Sequence, residues 1–297
     1  MQIYGGDPIP KTATAGHLRL VVGTLFSDCG VPDPMLEADR VVGHVLGVTR
    51  ASLHTHPEQV VGEKNFAKII ELSVRRAAGE PLAYLIGSSF FCGRSFVVDR
   101  RVLIPRPETE ALVSYADDFM KSIGPVGVFA DWCTGSGCIA LTLLADNSGW
   151  RAYAVDASGE ALAVAHENAA RHGVSDRLTL IRCADPLEAR RDIHAHSLDL
   201  LVSNPPYIPS RELATLETQV RDFEPALALD GGRDGADVLR ALLETLPFYM
   251  KPSAPMLFET AGEEQIESVQ HSSRDAAFEK TFADHRGIKR FALFRAR

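Results

Sequence analysis

At 297 residues, 45% hydrophobic and 24% charged, the chain is long enough for two domains and has the composition of an ordinary soluble globular protein. Its 31 Lys plus Arg stand against 39 Asp plus Glu, and the net charge of −8 argues against a protein that grips nucleic acid through broad phosphate contacts. The five cysteines (Cys29, Cys92, Cys133, Cys138 and Cys183) are scattered without CxxC spacing, which argues against a disulfide framework or zinc site and points to the reducing cytoplasm.

No apolar run approaches the about 20 residues of a membrane span. Residues 1–11 carry one basic residue and two prolines and match neither a signal peptide nor a transit peptide. From residue 12 to about 87 the pattern is helical. Ala38, Val42, Val45 and Leu46 recur at helical spacing, as do Phe66, Ile70, Val74 and Ala77. Asp33-Pro34 supplies a cap and a proline at the first helical position, and Gly47 ends that helix. Gly79 and Pro81 end the next one. The expectation is a bundle of four or five short helices, with Arg75 and Arg76 closing the last long one, as solvated caps ahead of the alternative that they meet an acidic or RNA partner. His54 with His56, and His194 with His196, lack acidic or sulfur partners at ligand spacing, so no metal is expected.

Two β-prone runs around Cys92-Gly93-Arg94 predict a hairpin after the bundle. Ile104-Pro105-Arg106-Pro107-Glu108-Thr109-Glu110 then opens a helix with acids in its first turn. Arg106, held extended between two prolines, is expected either to pair with a carboxylate or to help close a substrate pocket between domains. The resulting division is a helical domain over 1–88, a β-hairpin linker over 89–110 and a catalytic domain over 111–297.

Beyond residue 125, strands over 126–132, 152–156, 178–183, 198–203, 255–260, 278–282 and 289–294 alternate with helices over 136–146, 160–172, 236–249 and 264–271. That order predicts an α/β fold with a seven-stranded, mainly parallel sheet covered on both faces. Ligands of such sheets bind beyond the C-terminal strand ends, where strand order reverses. The first of these strands ends in Asp131-Trp132-Cys133-Thr134-Gly135-Ser136-Gly137, whose glycines allow a sharp turn and close ligand approach. Asp156 ends the second strand, where an acid can hold ribose hydroxyls, and Asp185 follows the third. The turn lacks the third glycine of a pyrophosphate-binding GxGxxG, which points to a nucleoside such as S-adenosylmethionine.

The fourth strand runs into Asn204-Pro205-Pro206-Tyr207. Both prolines fix φ and lack an N–H. Asn204 offers an amide acceptor and donors, and Tyr207 a flat aromatic face. These residues suit either a clamp for a planar amide or amine, or an ordinary stiff turn at a strand end.

With those residues laid out, the chain resembles the HemK/PrmC family, glutamine N5-methyltransferases that modify peptide chain release factors. The resemblance covers nearly the whole length. It is carried by Gly79-Glu80-Pro81-Leu82-Ala83-Tyr84, Leu103 to Glu110, the glycine turn, Asn204 to Tyr207, and Glu259-Thr260-Ala261-Gly262 with Gln265. It implies a Rossmann-like class I S-adenosylmethionine-dependent methyltransferase domain behind a small helical domain that recognises the substrate. The implied substrate is the glutamine in the Gly-Gly-Gln loop of a class-I release factor. Cofactor contacts carry over onto Cys133, Thr134, Gly135, Ser136, Gly137, Asp156, Asp185, Pro186 and Asn204. Substrate contacts carry over onto Asn204, Pro205, Pro206 and Tyr207, with Arg106 beside them and with Asn204, Pro205 and Tyr207 as the catalytic group.

In that scheme the Asn204 oxygen and the Pro205 carbonyl accept the two amide hydrogens while Tyr207 packs on the amide plane. Two positions depart from the family: Cys133 stands where a glycine is usual, and Pro186 where an aromatic residue often follows the acid. A left-handed backbone at Cys133 would be strained, and Pro186 removes a stacking surface for adenine. The rival readings are an adenine N6-methyltransferase acting on nucleic acid, a glutamine methyltransferase for a ribosomal protein, and a non-catalytic cofactor-binding adaptor. A monomer with no nucleic-acid or membrane partner is expected.

Overall fold

The computed structural model describes residues 13–297 and divides into two compact units, one ending at Gly87 and the other spanning Ser88–Arg297. The expected lack of a targeting segment in residues 1–11, and the start of the helical pattern at residue 12, lie outside the described residues.

The first unit runs β1 (Ala13–Thr14), α1 (Ala15–Asp28), α2 (Pro34–Leu46), α3 (Arg50–Thr55), β2 (Val60–Val61), α4 (Glu63–Ala77) and α5 (Leu82–Ile86). Leu18, Val22 and Phe26 of α1 recur every four residues and bury against Ala38, Val41 and Val42 of α2 and Ile69 and Leu72 of α4. Two local expectations change. Asp33 precedes Pro34 as expected but sits at φ 47° without a side-chain cap bond. Arg76 is not solvated: it is buried and donates to Glu37 at 2.7 Å. Arg75 makes the outward pair, gripping both oxygens of Glu80 at 2.8 Å. His54 meets the buried Asp39 carboxylate at 2.9 Å, which Arg19 and Arg50 also hold.

The second unit opens with a hairpin, β3 (Ser88–Phe91) and β4 (Arg94–Val97), followed by α6 (Thr109–Ile123). It continues β5 (Gly127–Trp132), α7 (Cys138–Asp146), β6 (Trp150–Asp156), α8 (Gly159–His172), β7 (Leu178–Arg182), β8 (Leu200–Ser203) and the short α9 (Thr218–Arg221). It closes with α10 (Asp237–Thr245), β9 (Pro255–Glu259), α11 (Glu263–Val269), β10 (Ala276–Ala283) and β11 (Lys289–Ala296). The hairpin is part of this unit rather than a free-standing linker. Phe91 and Phe96 are buried in its core, and the Asn168 amide of α8 holds Val97 by two bonds of 2.7 and 3.1 Å.

The seven-stranded sheet has the order β10-β11-β9-β8-β5-β6-β7, with β11 antiparallel to both neighbours and the other pairs parallel. β8 is buried at every residue, as a central parallel strand covered on both faces should be. Each such Leu or Val contributes about 1.5–3 kcal/mol of burial. Strand order reverses at β5, which is flanked by β6 on one side and β8 on the other. The turns after β5 and β8 therefore leave the sheet side by side, at the position where a ligand-binding crevice forms.

Candidate active site

Those two turns form the walls of a cavity of about 460 Å³, whose lining includes Cys133, Gly135, Asp156, Pro186, Asn204 and Pro206. A second cavity of about 200 Å³ is lined by Arg106, Asn204, Pro205, Tyr207 and apolar residues. Asn204 belongs to both.

In the larger cavity, Asp156 accepts the Gly135 N–H and the Ser158 N–H, both at 2.9 Å. A carboxylate has about four lone-pair sites, so it retains capacity for ligand hydroxyls. Burial pushes its pKa upward, and backbone N–H groups of Ser158, Gly135 and Ala157 partly offset that. At Gly135 the backbone is left-handed (φ +55°) and an added Cβ would meet nothing within 4 Å, so the peptide edge is open. Leu103, Pro186, Val238 and Leu242 supply apolar wall suited to a base. This donor set fits S-adenosylmethionine: hydroxyl acceptors, an open backbone edge and an apolar slot, without a phosphate cradle.

Several residues expected as contacts make internal bonds in this structure. Thr134 Oγ1 donates to the buried Asp131 at 2.6 Å, and the Ser136 carbonyl accepts from Asn168 at 2.9 Å. Gly137, at φ +80°, starts α7. These three shape the turn and do not line the cavity. Asp185 is exposed and caps the 3₁₀ turn Pro186–Arg191 by accepting the Leu187 N–H at 3.0 Å, while its neighbours Cys183, Ala184 and Pro186 do line the cavity. Pro206, expected on the substrate side, lines the larger cavity instead. Cys133 does adopt the left-handed backbone, at φ +62°, which costs a non-glycine residue about 1–2 kcal/mol. Burial pushes its thiol pKa up, so it is no thiolate nucleophile.

Asp131 itself is fully buried, and burial pushes its carboxyl up to about 7. Thr134 and the Ala140 N–H both bond Oδ2, and Oδ1 has no hydrogen-bond partner among the described residues. The folded state therefore holds this proton more tightly than the unfolded chain, whose value is near 3.8. The contribution to stability is complete below that value and is lost as pH rises through about 7. Asp131→Asn is expected to flatten part of the decline in Tm between about pH 4 and pH 7; an unchanged slope would count against it.

Around the smaller cavity, Asn204 Nδ2 donates to Thr109 Oγ1 of α6 at 3.1 Å. That leaves the acceptor end of the Asn204 amide unengaged by this bond. Arg106 is committed to the buried Glu224 at 2.6 Å, and Glu224 also accepts the Ile104 N–H at 3.1 Å. Of the two expectations for Arg106 the ion pair holds, and the cavity it lines is built from second-unit residues alone. Gln265 ties the clamp down from α11: its Nε2 donates to the carbonyls of Tyr207 at 3.2 Å and Gly235 at 2.8 Å. Sequence reasoning assigned no site role to Thr109, Glu224, Gly235 or Gln265. The only signal for Thr109 and Gln265 was their place in the motifs behind the resemblance.

The sheet order, the acid after β6 and the cavity at the strand-order reversal define a class I S-adenosylmethionine-dependent methyltransferase. Residues 22–87 match the family model "PrmC N-terminal domain" and residues 110–231 the model "Methyltransferase small domain". The chain belongs to the release factor glutamine methyltransferase family. It is 42% identical to the release factor glutamine methyltransferase of Nitratidesulfovibrio vulgaris over 77% of this chain and 76% of that one. It is 39% identical to that of Chlorobaculum tepidum over 85% and 87%, and 36% identical to that of Caulobacter vibrioides over 90% and 88%. Among solved structures, the hMettl16 catalytic domain in complex with MAT2A 3′UTR hairpin 6 aligns with a TM-score of 0.54 at 13% identity, covering 80% of this chain and 84% of that one, a likeness of fold alone. Among the described residues, no helix is long and apolar enough to cross a membrane.

Proposed function

We propose that this protein methylates the side-chain amide nitrogen (N5) of the glutamine in the Gly-Gly-Gln loop of class-I peptide chain release factors, in the cytoplasm and as a monomer, in support of translation termination. The observation that carries the reading is the position of Asn204 as the wall shared by a nucleoside-sized cavity and a smaller, side-chain-sized one. Bound S-adenosylmethionine supplies the electrophilic methyl group. The chain supplies orientation. Asn204 Oδ1 and the Pro205 carbonyl accept the two hydrogens of the acceptor amide, which fixes its nitrogen and raises its electron density as positive charge develops there. Tyr207 lines the same cavity and packs against the amide plane. The stiffness of Pro205-Pro206 holds these groups at fixed separation, so much of the acceleration is positional. No strong base is needed before transfer, because the proton can leave afterwards to water. The helical unit serves to recognise the body of the release factor.

The net charge of −8 weighs against the adenine-methylating alternative. Mass spectrometry of purified release factor, incubated with enzyme and cofactor, tests the assignment. One added methyl on the Gly-Gly-Gln glutamine is expected; transfer only to DNA, rRNA or a ribosomal protein overturns it.

A further inference from the structure

At the C-terminal end of β9, beside the turn that follows β8, lies a carboxyl group that the scheme above does not use. Glu259 is 1% exposed, and its Oε2 has no hydrogen-bond partner among the described residues. The hydroxyls of Thr109 and Tyr207 face it closely enough to favour its ionised form. Thr109 is 2% exposed and accepts from Asn204 Nδ2 at 3.1 Å. Ser203 of β8 is in register with Phe258 of β9, so Asn204 and Glu259 stand at adjacent strand ends, and a buried carboxyl, a buried hydroxyl and the residue that divides the two cavities are gathered there.

We propose that Glu259 is a positioning residue which, acting through the Thr109 hydroxyl, sets which end of the Asn204 amide faces the acceptor. The proposal rests on the reading of Asn204 as the group that holds the substrate amide. The logic is the polarity of the chain. An ionised carboxylate only accepts. In the proposed arrangement Thr109 turns its one hydrogen toward Glu259 and its oxygen accepts from the Asn204 NH₂, as it does at 3.1 Å. Asn204 Oδ1 is thereby directed away from Thr109, available to an incoming N–H. A protonated Glu259 can instead donate to Thr109, whose hydroxyl is then free to donate to Asn204 Oδ1. The amide is then reversed and presents hydrogens to a substrate that itself brings hydrogens, a mismatch. One proton on Glu259 thus switches the clamp between accepting and donating.

Burial pushes the Glu259 carboxyl up to about 7, with Thr109 acting the other way, so this switch lies near neutral pH. The charged and titratable groups facing it are Arg290 from β11, Glu108 from the start of α6 and Tyr207 from the clamp. Arg290 is itself paired with Asp284 at 2.7 Å, and Arg286 lies 3.6 Å from Glu108. Burial also pushes the Tyr207 phenol upward, so it stays protonated through neutral pH.

The test is methyl transfer to purified release factor between about pH 5.5 and pH 9, with kcat and KM measured separately for the wild type, Glu259→Gln, Thr109→Val and Thr109→Ser. Glutamine has both a donor and an acceptor, so it permits both polarities. Glu259→Gln is expected to lower kcat about 10-fold or more at pH 8, to leave both KM values within about 2-fold and to abolish the acidic limb of the kcat profile. Thr109→Val, which removes the hydroxyl and keeps the shape, should match it. Thr109→Ser should restore activity, and the double variant Glu259→Gln/Thr109→Val should be no worse than either single one. A retained acidic limb with wild-type kcat in Glu259→Gln, or losses that add in the double variant, overturns the proposal. If Glu259→Gln is too unstable to assay, Thr109→Val and Thr109→Ser decide alone, since a merely structural role predicts lowered Tm without a changed pH profile. Loss of turnover in Asn204→Ala with full turnover in Glu259→Gln overturns only the role of Glu259; full turnover in both overturns the reading of the clamp beneath it.

Discussion

Asn204→Ala is expected to lower kcat for methyl transfer by about 10²–10³-fold, the cost of deleting one preorganised polar group aimed at developing charge. The substitution removes the acceptor that fixes the substrate nitrogen and leaves Thr109 Oγ1 without its 3.1 Å donor. It should change cofactor affinity little, because Asn204 is one residue in a wall that also carries Asp156, Gly135, Pro186 and Leu242. The split between kcat and binding is what makes the experiment informative. Titration calorimetry with S-adenosylmethionine should give a Kd within a few-fold of wild type while single-turnover methylation collapses. Near-normal turnover would remove Asn204 from the catalytic group. Equal losses in Kd and turnover would make it a cofactor residue only.

Gly235→Ala should destabilise the protein by about 2–4 kcal/mol, the sum of left-handed strain and overpacking, and should depress activity as well. Gly235 lies far along the chain from the clamp but directly behind it. Its φ is +84°, and an added Cβ would fall 2.4 Å from the Tyr207 carbonyl oxygen and 3.0 Å from Gln265 Nε2. The carbonyl cannot retreat cheaply. It follows two prolines with fixed φ, and it accepts a bond from Gln265. The strain therefore passes into Tyr207 and the Gln265 tether rather than into solvent. For a chain of this size the loss corresponds to a fall in Tm of about 3–7 °C, measurable by thermal scans, with kcat reduced in the fraction that remains folded. Wild-type Tm and turnover would show that the loop around Gly235 relaxes independently of the clamp.

The strands and helices of the catalytic unit were legible because parallel central strands are continuous apolar runs and their helices carry strong periodicity. Leu200 to Ser203 and Gly159 to His172 lie within two residues of where the pattern predicts them. The hairpin was legible as an element and not as a member of the catalytic unit. Nothing in the run around Phe91 and Phe96 indicates that α7 and α8 will cover it, and the tether from Asn168 spans 71 residues of sequence. Arg76 was misplaced for a similar reason. A helix-end arginine is solvated by default, and only the packing of α2 against α4 brings Glu37 within 2.7 Å.

The sequence by itself determined the α/β class, the glycine turn, the acid after the second strand of the alternating region and the clamp Asn204-Pro205-Pro206-Tyr207. Each is a local property, set by the φ range of a residue type, by periodicity or by a strand ending abruptly. Tertiary structure decided which of those residues line the two cavities and which make internal bonds beside them. Thr134, Ser136 and Asp185 make internal bonds, and Pro206 lines the larger cavity, because a turn residue's direction depends on what is packed beneath it. It also supplied Thr109, Glu224 and Glu259, which lie 95, 20 and 55 positions from Asn204 in the chain. Buried polar groups must find partners wherever the fold brings them. That requirement gathers three distant residues of the catalytic unit behind and beside one amide, and no spacing rule along the chain encodes it.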